Sequence, residues 1–209
     1  SIEENKSAEG KPYASDRELW TMRQAKALLE TKQYEECQMC CDNALNAGFQ
    51  FHNNDDAWLR VYKGDCFSAI GQTELARSMY REALIDLQSP IIYQKLFLLE
   101  AKDGNTEQAL FFGARCGLAA PFVPEQDDKR IRFYREFADY LELQGMEYDA
   151  CLHRRHALHI YKENPDWKAP TNWTIPEDLM TLNRWDTSRR LETCWNKILD
   201  QYAEWQYGT

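Results

Sequence analysis

Two short stretches of this sequence carry side chains that can ligate metals at helical spacing. In CQMCC, the residues Cys37, Cys40 and Cys41 stand three and four positions apart, so a helix would bring their thiols to one side. A structural zinc site needs about four ligands in a tetrahedral array, and no second cysteine pair stands nearby in sequence. Cys37 and Cys41 also fall on positions that the helical pattern would bury. We therefore interpret the thiols as core residues and predict no metal site.

The second stretch, HRRHALH, places His153, His156 and His159 on one broad face of a helix. Imidazoles at such spacing could ligate a transition metal, but we interpret them as a solvated or groove-lining cluster. Enzyme signatures are absent from the sequence: it has no phosphate-binding glycine loop, no G-x-S-x-G and no H-E-x-x-H. Carboxylates are plentiful, but nothing marks one pair as catalytic. The sequence therefore predicts a protein without enzymatic activity and without a cofactor.

Composition limits the classes of partner. The formal net charge of −9 disfavours nucleic acid, whose phosphates it would repel, and favours a basic or mixed-charge protein or peptide. No apolar run is long enough to cross a membrane. The seven cysteines are odd in number and fit a reducing, cytoplasmic location, while a removed N-terminal signal or anchor is left open by the sequence.

The elements that must position any site are helices. In AWLRVYKGDCFSAIG the apolar and small residues follow helical spacing as far as Gly71, which is typical of a helix C-terminus. A second helical pattern follows after a short turn. Small side chains at Gly64 and Ala76 would let the two helices approach closely, with Phe67 and Tyr80 filling the space beside them. The spacing predicts an antiparallel helical hairpin.

The same pattern recurs along the chain. A further three hairpins are predicted over residues 19–45, 93–119 and 131–161. Ser15 and Glu18 form a capping-box pattern in front of the first of them.

These hairpins resemble tetratricopeptide repeats, whose unit of about 34 residues carries this pattern of small and aromatic positions. The second hairpin matches at Gly64, Phe67, Gly71, Ala76, Tyr80 and Ala83. The others are degenerate; the third has bulky Phe97 where a small residue is expected and Gly113 where an aromatic is expected. The resemblance covers roughly residues 16–162 and implies an all-α fold, four antiparallel hairpins stacked as an α-solenoid.

The two ends of the chain differ from the repeats. Residues 1–15 are predicted to be a flexible segment. Residues 163–209 form a segment rich in proline and tryptophan, with a short helix from about Pro176 and a final helix that Asp186 could cap. Apolar residues of the final helix lie on one stripe: Leu191, Trp195, Ile198, Tyr202 and Trp205. Because repeat stacks need a terminal cap, we predict that this Trp-rich helix is one.

The resemblance implies a concave groove lined by the first helices of successive hairpins. The inward residues would be Met22, Lys26, Trp58, Tyr62, Asp65, Gln94, Leu98, Arg132, Arg135 and Asp139. The family's clamp for chaperone C-terminal tails needs Lys and Asn at set inward positions, and the sequence does not supply them.

Large aromatics facing a concavity are typical binding anchors. The sequence therefore predicts a protein-binding adaptor whose groove takes a peptide or protein. Two alternatives stay open: a dedicated neutraliser or chaperone of one basic partner, and a structural homo-oligomer built through the C-terminal helix.

Overall fold

The computed structural model describes residues 5–6, 12–48, 51–119 and 130–202. Within these ranges the fold is all-α apart from two paired two-residue strands, β1 (Asn5–Lys6) and β2 (Pro12–Tyr13). Ten helices occur in the same ranges, and consecutive helices pack in pairs. In chain order they are α1 (Asp16–Glu30), α2 (Tyr34–Asn46), α3 (Asp55–Ala69), α4 (Thr73–Asp86), α5 (Pro90–Asp103), α6 (Thr106–Ala119), α7 (Ile131–Leu143), α8 (Glu147–Glu163), α9 (Glu177–Met180) and α10 (Arg184–Gln201).

The chain divides into two compact units, residues 1–88 and 89–209, here called the N-terminal and the C-terminal unit. The N-terminal unit holds the pairs α1–α2 and α3–α4, and α3 contacts both helices of the first pair. The C-terminal unit holds the pairs α5–α6 and α7–α8, followed by α9 and α10. The predicted helical hairpins are thus confirmed, while the continuous stack over residues 16–162 and the flexibility of residues 1–15 stay predictions.

The first helix begins at the predicted cap. The Ser15 side chain accepts a hydrogen bond from the Glu18 backbone N–H at 3.2 Å, which satisfies one of the helix's unpaired donors. The Glu18 carboxylate is buried and binds His52 twice, through its backbone N–H at 2.6 Å and its ring Nδ1 at 2.9 Å. Glu18 therefore ties the start of α1 to the loop that leads into α3.

The α3–α4 hairpin depends on the absence of a side chain at Gly64. A Cβ there would stand 2.6 Å from Cε1 of Tyr80, so the aromatic ring of α4 lies directly on the α3 backbone. The Tyr80 hydroxyl donates to Oδ1 of Asp65 at 2.7 Å and fixes the ring in this position. At the turn, Gly71 has a φ of +79°, a left-handed conformation that favours glycine.

The third hairpin shows why its sequence departs from the repeat pattern. A Cβ on Gly113 of α6 would stand 2.2 Å from the ring of Phe137 in α7. Phe97 of α5 packs edge-on against the same ring, with centroids 5.2 Å apart. The ring of Phe137 occupies the space that a side chain at position 113 would need, and it packs against Phe97. This explains why the third hairpin has a glycine and a bulky residue at these two positions.

The last helix packs against α6 and α8 within the C-terminal unit. Its residue Trp195 is buried, and a Cβ on Gly117 of α6 would stand 2.3 Å from the indole ring. The N-cap of α10 is Asn183, whose side chain accepts the Asp186 N–H at 2.9 Å, so the prediction that Asp186 caps this helix is wrong by three positions. Trp205 of the predicted stripe lies outside the described residues. In the part of the chain that the structure describes, no helix is both long and apolar enough to cross a bilayer.

Candidate functional site

The N-terminal unit presents a partly apolar face on α1 and α3, the first helices of its two hairpins, which contact each other. Met22 of α1 and Tyr62 of α3 are half-buried against the same core cluster. Trp58 lies one turn before Tyr62 and is also half-buried, while Lys26 is exposed and lies 3.9 Å from Glu30. We call Met22, Lys26, Trp58 and Tyr62 the inner face of this unit.

Three carboxylates lie near Tyr62 of the inner face. Burial raises the pKa of Tyr62, and the carboxylates of Asp55, Asp65 and Glu30 raise it further, which places all three acids within electrostatic reach of the phenol. Burial together with the charge of Glu18 also raises the pKa of Asp55, to about 6. A positive charge brought to this face would be stabilised by these carboxylates.

Asp65 is held by the hairpin to which it belongs. Its Oδ1 accepts the hydrogen bond from Tyr80, so its position is set by the contact between α3 and α4. The carboxylate therefore contributes its charge from a fixed place at the edge of the inner face.

The C-terminal unit links predicted groove residues of α5 and α7 through one carboxylate. Glu136 accepts hydrogen bonds from Nε2 of Gln94 at 2.9 Å and from Nε of Arg132 at 2.7 Å. Leu98, one turn after Gln94, is half-buried. This surface is polar, with the exposed Arg132 neutralised by a carboxylate on its own helix.

Arg135 stands beside an aromatic cluster that the sequence interpretation did not include. Its Nη1 donates to the Tyr161 hydroxyl at 3.3 Å, and the Tyr161 ring meets those of Trp167 and Trp173 edge-on at 6.4 and 6.3 Å. The two tryptophans follow α8 in the proline-containing segment, where helical periodicity gives no signal. The close spacing of these two tryptophans in the sequence was the available sign of an aromatic cluster.

Asp139 serves the α7–α8 hairpin in the structure. It accepts a hydrogen bond from Nη2 of Arg154 at 2.9 Å, and Glu142 binds the same guanidinium through both carboxylate oxygens. Arg154 is buried, so these two acids stabilise a cation inside the hairpin.

The ten predicted groove residues fall on both units. Met22, Lys26, Trp58, Tyr62 and Asp65 belong to the N-terminal unit. The other five are in the C-terminal unit. A single groove that spans all ten stays a prediction.

The interpretation of the cysteines as core residues is confirmed for Cys37 and Cys41, which are fully buried with Cys66 in one cluster. The Cys37 Sγ donates to the backbone oxygen of Ala25 at 3.3 Å. The hydrogen bond to Cys37, together with burial, raises the pKa of Cys41, so this thiol is not ionised at neutral pH. Among the described residues no three His, Cys, Asp or Glu side chains are grouped to hold a metal ion.

The interpretation of the histidines as solvated or groove-lining is wrong for two of them. His153 and His156 are fully buried. The Nδ1 of His153 donates to the Asp149 backbone oxygen at 2.7 Å and its Nε2 accepts from Nε1 of Trp195 at 2.9 Å, so both ring nitrogens are used in a neutral imidazole. Burial accordingly lowers the pKa of His153 to about 3.

No protein-family model matches the chain, and no curated protein sequence matches it. The fold and the contacts above define an all-α protein built of consecutive helix pairs.

Proposed function

We propose that this protein is a non-enzymatic adaptor that binds a basic segment of another protein on the inner face of its N-terminal unit. The observation that carries the proposal is the combination of half-buried Trp58 and Tyr62 with three nearby carboxylates, which raise the pKa of Tyr62. An aromatic surface can bury apolar groups of a ligand and attract a cation at the same time. Lysine and arginine side chains combine an aliphatic stem with a cationic head and fit such a surface.

The inner face without a ligand carries a poorly stabilised negative charge, which supports a cationic ligand. Asp55 is half-buried near Glu18, and its raised pKa reports that its negative charge is poorly stabilised there. A ligand cation at this place would remove part of that cost, because opposite charges in a partly buried site attract strongly. The net charge of −9 would also speed the approach of a basic partner.

The proposal also includes a tetratricopeptide-like repeat class and a cytoplasmic location. The close contact of Gly64 with Tyr80 and the full burial of Ala76 and Ala83 support a tetratricopeptide-like hairpin. Stacking of such hairpins as an α-solenoid would give the inner face its concave setting. All seven cysteines are unpaired, which favours a reducing compartment such as the cytoplasm.

A displayed library of random peptides, selected on the immobilised full chain, tests the proposal. We expect the enriched peptides to be basic and to carry an aromatic or aliphatic anchor. Trp58→Ala should weaken their binding by about tenfold or more, as expected for an aromatic anchor. Trp185→Ala is the matched control, because Trp185 is 61% exposed on α10 in the other unit.

Two results would contradict the proposal. One is enrichment of acidic peptides, and the other is binding that Trp58→Ala and Trp185→Ala change equally. A chain that captures one folded basic protein from its source cells, but no peptide, would favour the neutraliser alternative instead.

A further inference from the structure

A carboxyl group at the start of α3 lies against a buried carboxylate of α1. Glu18 is only 2% exposed, and its two oxygens accept hydrogen bonds from the backbone N–H and the ring Nδ1 of His52, at 2.6 and 2.9 Å. Asp55, the first residue of α3, lies within hydrogen-bonding distance of the Glu18 side chain. Two carboxyl groups can share a hydrogen bond only when one of them holds a proton. The contact between Glu18 and Asp55 therefore needs one proton.

A tight turn brings His52 and Asp55 to the same carboxylate. The His52 carbonyl accepts the Asp55 backbone N–H at 2.9 Å. The two residues between them, Asn53 and Asn54, have left-handed φ values of +53° and +59°, which are uncommon for residues with a side chain. The hydrogen bonds from His52 to Glu18 hold one end of this turn on α1. The backbone thus sets the place of Asp55 beside Glu18.

The charges around Asp55 disfavour its ionised form. Burial raises its pKa, and the negative charges of Glu18 on α1 and of Asp56 on α3 raise it further, to about 6, while His52 in the loop acts in the opposite direction. Asp56 is itself bound to Arg60 at 2.9 Å. Asp55 therefore holds a proton below about pH 6, and at neutral pH it carries a negative charge that its surroundings stabilise poorly.

Asp55 lies on the same side of α3 as the aromatic residues of the inner face. Trp58 follows it by three positions and Tyr62 by seven, which is the spacing that places side chains along one side of a helix. The charge of Asp55 acts on the phenol of Tyr62 and raises its pKa. A cation bound against these aromatic rings would therefore have the Asp55 carboxylate as a neighbour.

We propose that a lysine or arginine side chain of the ligand binds to Asp55 and displaces the proton that Asp55 shares with Glu18. The inner face then binds basic segments tightly at neutral pH and weakly in acid. This inference rests on the proposed function, and it names the residue that meets the cation of the ligand. The exchange balances in charge, because one proton leaves Asp55 for solvent and one positive charge takes its place.

Proton linkage gives the size of the effect. The pKa of Asp55 is about 6 in the free protein, and a carboxyl beside a bound cation returns to an ordinary pKa of about 4. The affinity for a basic peptide should then fall about tenfold between pH 7.5 and pH 5. About 0.8 proton should be released per bound peptide at pH 5, and almost none at pH 7.5.

Isothermal titration calorimetry of the full chain measures both quantities. The probe is a short capped peptide of lysines and one phenylalanine, which has no group that titrates between pH 5 and pH 7.5. Titrations in two buffers of different ionisation enthalpy give the number of protons released. Asp55→Asn should bind the peptide at both pH values as weakly as the wild type does at pH 5, because asparagine resembles the protonated acid. Asp166→Asn is the matched control, since it makes the same change at an exposed position of the other unit.

Two further variants separate Asp55 from its neighbours. Imidazoles titrate in the same pH range, so His52→Gln tests whether the effect comes from His52, and it should keep the loss of affinity at pH 5. Trp58→Ala should weaken binding at both pH values and leave their ratio unchanged, because it removes an aromatic anchor and no titrating group. Far-UV circular dichroism confirms that each variant is folded at both pH values.

The outcomes distinguish this inference from the proposed function. Equal affinity at pH 5 and pH 7.5, or a pH dependence that Asp55→Asn retains, would overturn the inference and leave the proposed function standing. A peptide that binds at neither pH would contradict the proposed function, and this inference with it.

Discussion

Replacing Trp195 by phenylalanine tests how α10 is fixed to the C-terminal unit. The indole N–H is the donor to Nε2 of buried His153 at 2.9 Å, and the ring lies directly on Gly117 of α6. Phenylalanine keeps an aromatic ring at this place but removes the donor and part of the volume. The acceptor nitrogen of His153 would then be buried without its partner.

The expected loss has two parts. An unpaired buried acceptor costs about 1–3 kcal/mol, and the space left by the smaller ring costs about 1 kcal/mol more, because Gly117 offers no side chain to fill it. We therefore expect Trp195→Phe to lower the free energy of unfolding by about 2–4 kcal/mol.

Urea denaturation followed by far-UV circular dichroism measures this loss. Trp185→Phe is the matched control on the same helix, and its exposed position predicts a change below about 0.5 kcal/mol. Equal effects of the two substitutions, or a change in Trp195→Phe below about 0.5 kcal/mol, would refute the packing and hydrogen-bond argument.

Further predictions concern the hairpin contact, two titrating groups and the thiols. Gly64→Ala should lower the free energy of unfolding by about 1–3 kcal/mol, because the new Cβ would stand 2.6 Å from the fixed ring of Tyr80; an unchanged urea midpoint would contradict this contact. Burial lowers the pKa of His153 from 6.5 to about 3, so the unfolded chain binds more protons between these values and stability should fall as the pH drops from 6.5 towards 3; His153→Gln should flatten this slope in denaturation series, and an identical slope would refute the assignment. The pKa of Asp55 is raised from 3.8 to about 6, so the folded chain binds more protons between these values and stability should fall as the pH rises from 3.8 to about 6; Asp55→Asn should therefore raise the urea midpoint more at pH 8 than at about pH 4, and a lower midpoint at pH 8 would count against it. Since Cys37 is a buried core residue, metal chelators should leave the melting temperature unchanged, and zinc bound stoichiometrically by the purified protein would overturn that view.

The hairpins could be predicted because their determinants are local. Apolar and small residues follow helical spacing on both sides of Gly71, which marks the turn, and small Gly64 and Ala76 stand where the two helices meet. Helical periodicity therefore suffices to find the helices and to pair neighbours along the chain.

Contacts between distant elements could not be predicted in this way. Gly113 departs from the repeat pattern because the ring of Phe137, 24 positions later, lies on it. The sequence places His153 in a charged helix and favours a solvated position for it, yet His153 is buried against Trp195, 42 positions later. A pattern that compares residues three and four positions apart cannot detect the contacts with Phe137 and Trp195.

The candidate site was predicted only in part. Trp58 and Tyr62 could be named because an aromatic pair one turn apart stood off the hairpin contact. Met39 could not be named, because a pattern that searches for core positions leaves an exposed apolar residue without an interpretation. The structure places it at 64% exposure beside the cleft between α1 and α2.

The account's central claim is that the inner face of the N-terminal unit binds a basic segment, and methionine-methyl NMR tests it most directly. The chain has five methionines; Met22 lies on the inner face, and Met39 is exposed beside the cleft between α1 and α2. The chain is labelled with ¹³C at its methionine methyl groups and titrated with a short lysine-rich peptide that carries one aromatic residue. The account predicts that the Met22 signal shifts in a saturable manner while the Met39 signal does not follow the peptide. Binding that shifts Met39 and leaves Met22 unchanged, or a titration that moves no methionine signal, would contradict it.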